Sequence, residues 1–362
     1  MTEAPKPKES DPKRAEILFA RRGPLGLITL NRPEALNAVT LSMIRALAAR
    51  FDRWEKDARL RAIVIRGAGE RAFSAGGDIK ALYESRAKGD RALAATYYSE
   101  EYPQNRRVFR YPKPYIALID GIAMGGGVGL SVHGSHRVAT ERTLFAMPET
   151  GIGLFPDVGG SYFLPRLPGE IGMYLGLTGA RLKAADCLYT GIATHYVPSA
   201  RLEELVGALA DADWREGRVA ASAVLDRFAE DAGPPPLATQ RAAIDRCFKA
   251  ASVEAILAAL GREGSEWAAG VAATIATKSP TSLRLTYRQL RLGKSLDFEA
   301  AMAMEYRLCQ YCMDGHDFYE GVRAAVIDKD NKPKWRPASL AEVSDADIER
   351  AFLPRADDLS FE

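Results

Sequence analysis

The sequence predicts an α/β protein whose first two hundred residues form a mainly parallel sheet and whose remaining part is helical. Short apolar runs bounded by glycine or proline alternate with longer segments of helical periodicity through this first part. That alternation is typical of parallel strands joined by helices. Beyond residue 168 the composition becomes alanine-rich and helical. Of the 362 residues 47% are apolar, so the chain can bury the core of one large domain with an appendage, or of two domains.

The N-terminal elements are predicted from apolar runs and turn residues. Residues 17–31 indicate a β-hairpin, because two apolar runs flank Gly23 and Pro24. Thr40 is predicted to cap the helix that follows. Its apolar positions recur at helical spacing, at Ile44, Leu47, Ala48, Phe51 and Trp54.

Further strands and helices alternate up to residue 150. Residues 61–67 read as a buried strand, followed by the glycine loop FSAGGDIK, in which Asp78 enters a helix. Residues 91–109 are predicted to be helical, residues 115–119 to be a strand, and two more short strands to flank Glu141. The helical C-terminal part is broken by GPPP at 233–236 and ends in a short helix that Ser344 caps.

The most informative stretch is residues 115–160. A strand ends near Gly121, three glycines follow at Gly125, Gly126 and Gly127, and an apolar run then suggests the start of a helix. Such a turn aims bare backbone N–H groups at an anion or a polarised oxygen. The loop Ala75-Gly76-Gly77-Asp78 repeats this arrangement. Because the carboxyl ends of parallel strands share one sheet edge, N–H groups from the two loops are expected to converge on one oxygen.

Two carboxylates follow the second glycine loop in an apolar context, Glu149 and Asp157. N–H donors for an oxyanion beside a carboxylate that moves a proton or attacks suggest acyl chemistry. Simpler interpretations stay open for each residue. Glu149 could be a surface loop residue, Asp157 could be a helix N-cap, and from the residues alone Glu101 is best read as part of a solvated helix face.

Other classes of protein are disfavoured. A net charge of +2 argues against a nucleic-acid binder that works through bulk charge. The four cysteines, two of them the pair Cys309 and Cys312, suggest a reducing compartment and no metal site. The histidines accompany no nucleophile motif such as GxSxG. With no long apolar run, no membrane span is expected, and the acids in the N-terminal segment argue against a transit peptide. We therefore expect a cytoplasmic protein.

Long motifs resemble the crotonase (enoyl-CoA hydratase/isomerase) superfamily, and most closely its 3-hydroxyisobutyryl-CoA hydrolase branch. They are FSAGGDIK, KPYIALIDGIAMGGGVGLSVHGSHRVAT and FAMPETGIGLFPDVGGSYFLPRL. The resemblance covers residues 17–198 and resumes at SPTSLRLTYRQL; residues 200–275 are similar to an extra helical insertion of the hydrolase branch. It implies a ββα-spiral core over 16–200 that carries the active site. The polar segment at 1–15, which carries three prolines, is expected to be a disordered lead. A helical region over 201–362 is expected to cover that core.

The resemblance also implies roles for particular residues. The N–H groups of Gly77 and Gly126 are expected to form the oxyanion hole, and Glu149 matches the catalytic glutamate of the family. The second glutamate of hydratases falls on Gly129 here, whereas the hydrolase branch is similar to this chain at Glu101, Glu149 and Asp157. Glu149 is thus expected to be general base or nucleophile. Asp157 orients the water or the β-hydroxyl, and Glu101 contacts the short hydroxyacyl group.

The implied substrate is an acyl-CoA, whose CoA part is expected to pass the Ala35–Leu36 turn and the loop from Ala75 to Ile79, with Lys80 or arginines near the phosphates. The implied reaction is hydrolysis of 3-hydroxyisobutyryl-CoA, or a similar short 3-hydroxyacyl-CoA, in valine catabolism. Rival interpretations are an enoyl-CoA hydratase or isomerase and a non-catalytic acyl-CoA-binding paralogue. No metal and no cofactor apart from the CoA of the substrate is expected, and no nucleic-acid or membrane partner. A homo-oligomer stays open.

Overall fold

Nine strands are found in the computed structural model, which describes residues 15–361. In chain order they are β1 (Ile17–Arg22), β2 (Leu25–Leu30), β3 (Ala62–Gly67), β4 (Ala72–Ser74), β5 (Tyr115–Ile119), β6 (Ile122–Met124), β7 (His136–Ala139), β8 (Leu144–Ala146) and β9 (His195–Tyr196). They form a large sheet of order β1-β2-β3-β5-β7-β9 and a small sheet of order β4-β6-β8. The predicted lead at 1–15 lies outside the described residues except for Ala15.

Strand pairing confirms the predicted hairpin and the mainly parallel sheet. β1 and β2 are antiparallel, with Ile17 opposite Leu30, and the other pairings of both sheets are parallel. Each strand of the small sheet directly follows a strand of the large one, so β3 leads to β4, β5 to β6 and β7 to β8, and helical segments follow each pair. The expected ββα spiral is therefore confirmed.

The helices of the first part are α1 (Leu41–Lys56), α2 (Ile79–Ala87), α3 (Ala92–Phe109), α4 (Gly126–Gly129), α5 (Gly160–Phe163), α6 (Ile171–Thr178) and α7 (Ala184–Thr190). Later helices are α8 (Leu202–Ala210), α9 (Arg218–Phe228), α10 (Arg241–Phe248), α11 (Val253–Glu263), α12 (Glu266–Ala276), α13 (Pro280–Gly293), α14 (Phe298–Asp314), α15 (Asp317–Val322) and α16 (Asp345–Ala351). The predicted caps are present, since Thr40 accepts from the Met43 N–H at 3.2 Å and Ser344 from the Asp347 N–H at 3.4 Å.

Apolar residues lie on both faces of the large sheet, which explains why its central strands read as continuous apolar runs. In β3, Ala62 and Val64 pack with α8 and α9 on the outer face, while Ile63 and Ile65 face the main core. Helices α13, α14 and α15 lie on the inner side, against α6, α3 and the turn after β8. The helical region thus covers the core on two sides, and the boundary at residue 200 stays a prediction. No helix within residues 15–361 is both long and apolar enough to span a bilayer.

Candidate active site

The two glycine loops meet at the carboxyl ends of β4 and β6. Gly77 precedes α2, and Gly126 begins α4 directly after β6. A Cβ atom built on Gly126 would lie 3.3 Å from the Gly77 nitrogen. Neither N–H donates to a turn, loop or cap carbonyl within residues 15–361. The structure therefore places two available N–H donors side by side.

Glycine is required here by the backbone and by the neighbouring side chains. Gly125, which directly precedes Gly126, has φ 46° and ψ −125°, a conformation that a residue with a Cβ rarely adopts. At Gly126 a Cβ would lie only 2.7 Å from Glu101 Oε1. The loop thus brings bare backbone and a carboxylate into direct proximity.

These loops line a small cavity of about 140 Å³, which we call the carboxylate cavity. The residues from the sequence analysis that line it are Ala75, Gly76, Gly77, Ile79, Glu101, Gly125, Gly126, Glu149 and Asp157. Residues more than 70 positions apart in sequence are gathered in one place. The volume suits a short acyl group and excludes a whole coenzyme A.

Ala35, Leu36 and Lys80 lie outside this cavity. The Ala35–Leu36 turn adjoins its wall, because the N–H of the lining residue Ala75 donates to the Leu36 carbonyl at 2.9 Å. Lys80 is solvent-exposed, with 62% of its side chain accessible, and its ammonium lies 3.6 Å from Glu84 Oε1. The expected CoA contacts of these residues stay predictions.

Glu149 begins a 3₁₀ turn, Glu149–Ile152, two residues after the end of β8. Its side chain is buried, which excludes the surface-loop interpretation, and its Oε2 atom accepts no hydrogen bond from the described residues. Burial, reinforced by the nearby Asp157 carboxyl, raises the pKa of Glu149 well above its usual range. A buried carboxylate oxygen without a hydrogen-bond partner destabilises the fold unless a ligand or a water molecule donates a hydrogen bond to it.

Asp157 is held by Tyr102, whose hydroxyl donates to Asp157 Oδ2 at 3.0 Å. Burial raises the pKa of Asp157 to about 7, although the Tyr102 hydrogen bond acts in the opposite direction. The N-cap interpretation is wrong, because the cap of α5 is Gly159, two residues later. Asp157 instead points into the carboxylate cavity.

Glu101 is buried on α3, so its interpretation as part of a solvated helix face is wrong. The solvated residue is its neighbour Glu100, which forms an ion pair with Arg45 at 2.7 Å. Burial and the charge of Asp157 raise the pKa of Glu101 well above its usual range. Two adjacent glutamates on one helix therefore differ completely in surroundings.

Sequence reasoning missed the residues that hold the loop carrying Asp157. Glu305 of α14 accepts from the Gly159 N–H at 2.8 Å and from the Ser161 N–H at 2.7 Å. On the other side of Asp157, Gln289 donates to the Pro156 carbonyl at 2.6 Å. A signal for Glu305 was present, because it lies at helical spacing from the buried residues Met302, Cys309 and Cys312.

Further side chains complete this support. The His133 Nε2 atom is 2.7 Å from the Val158 carbonyl oxygen. Val158 itself has φ 49°, an uncommon value for a β-branched residue that costs free energy unless its surroundings impose it. Burial raises the pKa of Glu305 to about 8, against the effect of its two N–H donors. The loop is thus held in a strained conformation from several directions.

There is no room for a side chain at position 129. A Cβ built on Gly129 would lie 2.6 Å from Asn105 Nδ2 and 2.8 Å from Val158 Cβ. Both neighbours are buried. The second glutamate of hydratases would therefore collide with the core at this place.

Chemically, the cavity combines two backbone N–H donors with an unpartnered carboxylate and two further acidic groups. The donors suit an oxygen that gains negative charge, and the carboxylate suits attack or proton removal beside it. Within residues 15–361 no group of three His, Cys, Asp or Glu side chains is arranged to hold a metal ion. Cys309 and Cys312 are buried free thiols on α14.

Known proteins resemble this chain over nearly its full length. The family model described as enoyl-CoA hydratase/isomerase matches residues 25–352. The protein named 3-hydroxyisobutyryl-CoA hydrolase, mitochondrial, from Danio rerio is 52% identical over 343 residues, covering 93% of this chain and 89% of the relative. The protein of the same name from Homo sapiens is 48% identical over 345 residues, with coverage of 93% and 88%.

Solved structures share the fold. A crystal structure described as a carnitinyl-CoA dehydratase from Mycobacterium thermoresistibile is 42% identical, with a TM-score of 0.90 over 96% of this chain and 99% of its own. One described as an enoyl-CoA hydratase from Rhodobacter sphaeroides 2.4.1 is 36% identical, with a TM-score of 0.88 over 96% and 100%.

The expectation of a cytoplasmic protein is wrong, because the two hydrolase relatives, from Danio rerio and Homo sapiens, are described as mitochondrial. Charge balance and hydropathy do not separate a cytosolic protein from one inside a mitochondrion, so this expectation rested on too little.

Proposed function

Because the chain belongs to the enoyl-CoA hydratase/isomerase superfamily, we propose that it hydrolyses the thioester of 3-hydroxyisobutyryl-CoA, or of a similar short 3-hydroxyacyl-CoA, to the free acid and CoA. Relatives about half identical over more than nine-tenths of the chain carry the name of this hydrolase. The observation that carries the proposal is the unpartnered, buried Glu149 oxygen beside two available N–H groups in a cavity of acyl size.

The two N–H groups act on the thioester oxygen. When the carbonyl carbon is attacked, this oxygen gains negative charge, and Gly77 and Gly126 donate hydrogen bonds to it. Each such donor in a preorganised, water-poor site is worth about 3 kcal/mol in the transition state. Because both donors are backbone atoms at strand ends, they need little reorganisation as charge develops.

Glu149 supplies the attacking group by one of two routes. As general base, it removes a proton from water, a C–O bond forms and the C–S bond breaks, so that CoA leaves as thiolate and then takes up a proton. As nucleophile, its own oxygen bonds to the thioester carbon and the C–S bond breaks, so that CoA leaves as thiolate and a mixed anhydride remains, which water then cleaves. Label in Glu149 after a single turnover in ¹⁸O-labelled water identifies the second route with water attack on the Glu149 carboxyl carbon, because the first route places label only in the released acid.

Asp157 and Glu101 form the acidic end of the cavity, where the hydroxyl of the acyl group is bound. With Asp157 ionised and Glu101 protonated, one group accepts a hydrogen bond and the other donates one. A polar site that pairs with a substrate hydroxyl rejects an analogue lacking it far more strongly than an apolar pocket does. This arrangement favours hydroxyacyl over plain acyl groups and requires no cofactor beyond the CoA of the substrate.

Hydration of an enoyl-CoA is the second candidate, because the two solved structures above are described as a dehydratase and a hydratase. Position 129 disfavours it: paired-carboxylate addition of water needs a glutamate where this chain has Gly129, and Asn105 and Val158 fill the adjacent space.

The test is release of free CoA thiol from 3-hydroxyisobutyryl-CoA, with hydration of crotonyl-CoA measured alongside. We expect thiol release without hydration. Hydration without thiol release would reject the hydrolase and show that Glu149 acts alone in water addition. A role in valine breakdown follows from the substrate and is part of the proposal.

A further inference from the structure

The peptide unit between Gly76 and Gly77 carries one of the two N–H donors of the carboxylate cavity, and its opposite end is also hydrogen-bonded. The Gly76 carbonyl accepts from the Val39 N–H at 2.8 Å. Because this peptide is trans and planar, its C=O and N–H point in opposite directions, and a contact that fixes the carbonyl also fixes the N–H. The orientation of the Gly77 donor therefore depends on Val39, which does not line the cavity.

The adjacent peptide unit, between Ala38 and Val39, is hydrogen-bonded at its carbonyl end to a cation. The Ala38 carbonyl accepts from the Arg32 Nη1 atom at 2.8 Å. Two peptide units in series therefore connect a guanidinium group to the cavity. The series, which we call the Arg32 relay, consists of the Arg32 side chain, the Ala38–Val39 peptide and the Gly76–Gly77 peptide.

Hydrogen bonds arranged in series strengthen one another. A donor at a peptide carbonyl polarises the whole amide and makes its N–H a better donor, and a charged donor forms the strongest bond of this kind. Both hydrogen bonds of the Arg32 relay measure 2.8 Å, at the short end of the range for N–H donors. The relay therefore strengthens the Gly77 N–H as well as orienting it, which matters most when negative charge develops on the oxygen that it meets.

The Arg32 guanidinium is held in place by two carboxylates. Its Nη1 atom also donates to Asp78 Oδ2 at 3.1 Å, and its Nε atom lies 3.2 Å from Glu16 Oε1. Asp78 directly follows Gly77, and its N–H donates to the Val39 carbonyl at 2.9 Å. Only 19% of the Arg32 side chain is solvent-accessible. Because the two carboxylates offset its positive charge, Arg32 acts as a directed donor rather than as a free charge.

The turn between Arg32 and Val39 has an uncommon backbone conformation. Leu36 has φ 51° and Asn37 has φ 55°, in the left-handed region that is unfavourable for a bulky residue such as leucine. Asn37 is fully buried; its side chain accepts from the Arg32 N–H at 2.9 Å and donates to the Ala72 carbonyl at 2.8 Å. Such strain persists only where the surrounding structure imposes it. The position of the Val39 N–H is thus specified by several contacts.

The second donor of the cavity is supported in a different way. The peptide unit that carries the Gly126 N–H has its carbonyl on Gly125, which accepts from the N–H groups of Val128 and Gly129 at 2.7 and 3.2 Å. These hydrogen bonds belong to the first turn of α4, so they need no side chain. A substitution at Arg32 is therefore expected to act on only one of the two donors.

We propose that Arg32 is a positioning residue for thioester cleavage, which orients and strengthens the Gly77 N–H through the two peptide units of the Arg32 relay. This inference rests on the proposed function, because it takes the oxygen that meets the N–H to be that of a thioester. It assigns a part in the reaction to a side chain that does not line the carboxylate cavity.

The kinetic test is Arg32→Met, which has a similar length but no donor, with Glu16→Gln as the matched control. Glu16 contacts Arg32 but lies outside the relay. We expect Arg32→Met to lower kcat about tenfold with KM nearly unchanged, a smaller effect than the loss of about 10²–10³-fold on removing an oxyanion donor outright. Arg32→Lys, which still donates to one carbonyl, should recover part of the rate. An unaltered kcat in Arg32→Met, or an equal loss in Glu16→Gln, would overturn the proposal.

Infrared spectroscopy of bound isobutyryl-CoA, with ¹³C in its carbonyl, separates this role from folding and from hydrolysis. In Glu149→Gln the thioester should persist, and the two N–H donors should lower the stretching frequency of its carbonyl relative to water. Adding Arg32→Met should return the frequency part of the way towards the value in water. Arg32→Lys gives the same readout at smaller amplitude if Arg32→Met does not fold. An unchanged frequency would overturn the proposal.

The two proposals fail in distinguishable ways. If the carbonyl frequency depends on Arg32 but the parent releases no thiol, the hydrolase proposal fails and this one stands. If thiol is released and neither kcat nor the frequency depends on Arg32, the hydrolase proposal stands and this one fails.

Discussion

Two walls of the carboxylate cavity are built in different ways. The backbone wall consists of the loops around Gly77 and Gly126, each formed by a few consecutive residues at a strand end. The acidic wall consists of Glu101 from α3, Asp157 from the loop before α5, and the supporting Glu305 from α14. Glu305 is separated from the backbone groups that it holds by 146 and 144 residues.

The difference teaches which parts of a site depend on local structure. The backbone wall needs glycine at particular turn positions, and its donors are oriented by the sheet. The acidic wall exists only when distant helices pack together, and burial then raises the pKa of each of its carboxyls. We expect substitutions in the acidic wall to alter the pH dependence and the substrate selectivity of the reaction. Loss of Glu149, which lies between the two walls, is expected to stop the reaction.

The largest effect is expected for Glu149→Gln, which keeps the side-chain shape but removes the base or nucleophile. Turnover should fall by about 10³-fold or more, while the Kd of coenzyme A stays unchanged because that ligand binds mainly outside the cavity. Thiol release and calorimetry on the same preparation check both halves. Loss of binding together with turnover would contradict the assigned role. Unchanged turnover would mean that the measured hydrolysis does not depend on Glu149, and coenzyme A binding without turnover in the parent would favour a non-catalytic CoA-binding protein.

Asp157→Asn is expected to lower kcat by about 10²-fold, the effect of misplacing a bound group beside the attacking one, with a smaller effect on binding. Equal turnover would remove Asp157 from the mechanism.

The pH dependence of Asp157 gives a second readout of the same variant. Burial raises its pKa from 3.8 to about 7, so its ionisation should contribute a rise of kcat/KM with pH near 7, in addition to the rise from Glu149, which must be ionised to act and whose pKa burial also raises. The folded protein retains a proton here that the unfolded chain has lost, so this group's contribution to the free energy of unfolding falls between pH 3.8 and about 7. In Asp157→Asn both dependences should flatten; a rate profile identical to that of the parent would show that another carboxyl of the cavity titrates.

The parts of the site that depend on local sequence could be predicted, and those that depend on the packing of distant helices could not. Gly77, Gly126 and Glu149 were found because turn chemistry and long family motifs are local, and the parallel sheet followed from the same kind of pattern. The burial of Glu101 was missed by residue-level reasoning because Glu100 and Glu101 look alike until α3 packs against the loop of Asp157. Glu305 was missed because its two hydrogen bonds join segments more than 140 residues apart.

Glu305→Gln tests whether the support of the acidic wall matters as much as its reacting groups. Glu305 accepts one N–H with each carboxylate oxygen, and glutamine has only one such oxygen, so one backbone donor is left facing an amide NH₂. An unmatched buried donor costs about 1–3 kcal/mol. We expect the strained loop around Val158 to shift so that this donor finds another partner, and the shift displaces Asp157.

We expect kcat to fall about tenfold, because a loss of transition-state stabilisation within this range corresponds to such a change in rate. The ascending limb of the pH–rate profile should also be displaced from that of the parent. Glu299→Gln is the matched control, on the same helix but paired with Arg106 and Arg110 towards the surface. A fall in melting temperature with an unaltered pH profile and kcat would make Glu305 structural only.

The smallest effect, and the one that resolves the acidic wall most finely, is expected for Glu101→Leu. The ratio of kcat/KM for 3-hydroxyisobutyryl-CoA over isobutyryl-CoA should fall about tenfold, the equivalent of one hydrogen bond to the substrate hydroxyl. Glu100→Leu, on the solvated side of α3, should leave the ratio unchanged. If Glu101→Leu instead lowers kcat/KM equally for both substrates, the Glu101 carboxyl supports the Gly126 loop, which it contacts. Asp157 alone would then bind the substrate hydroxyl.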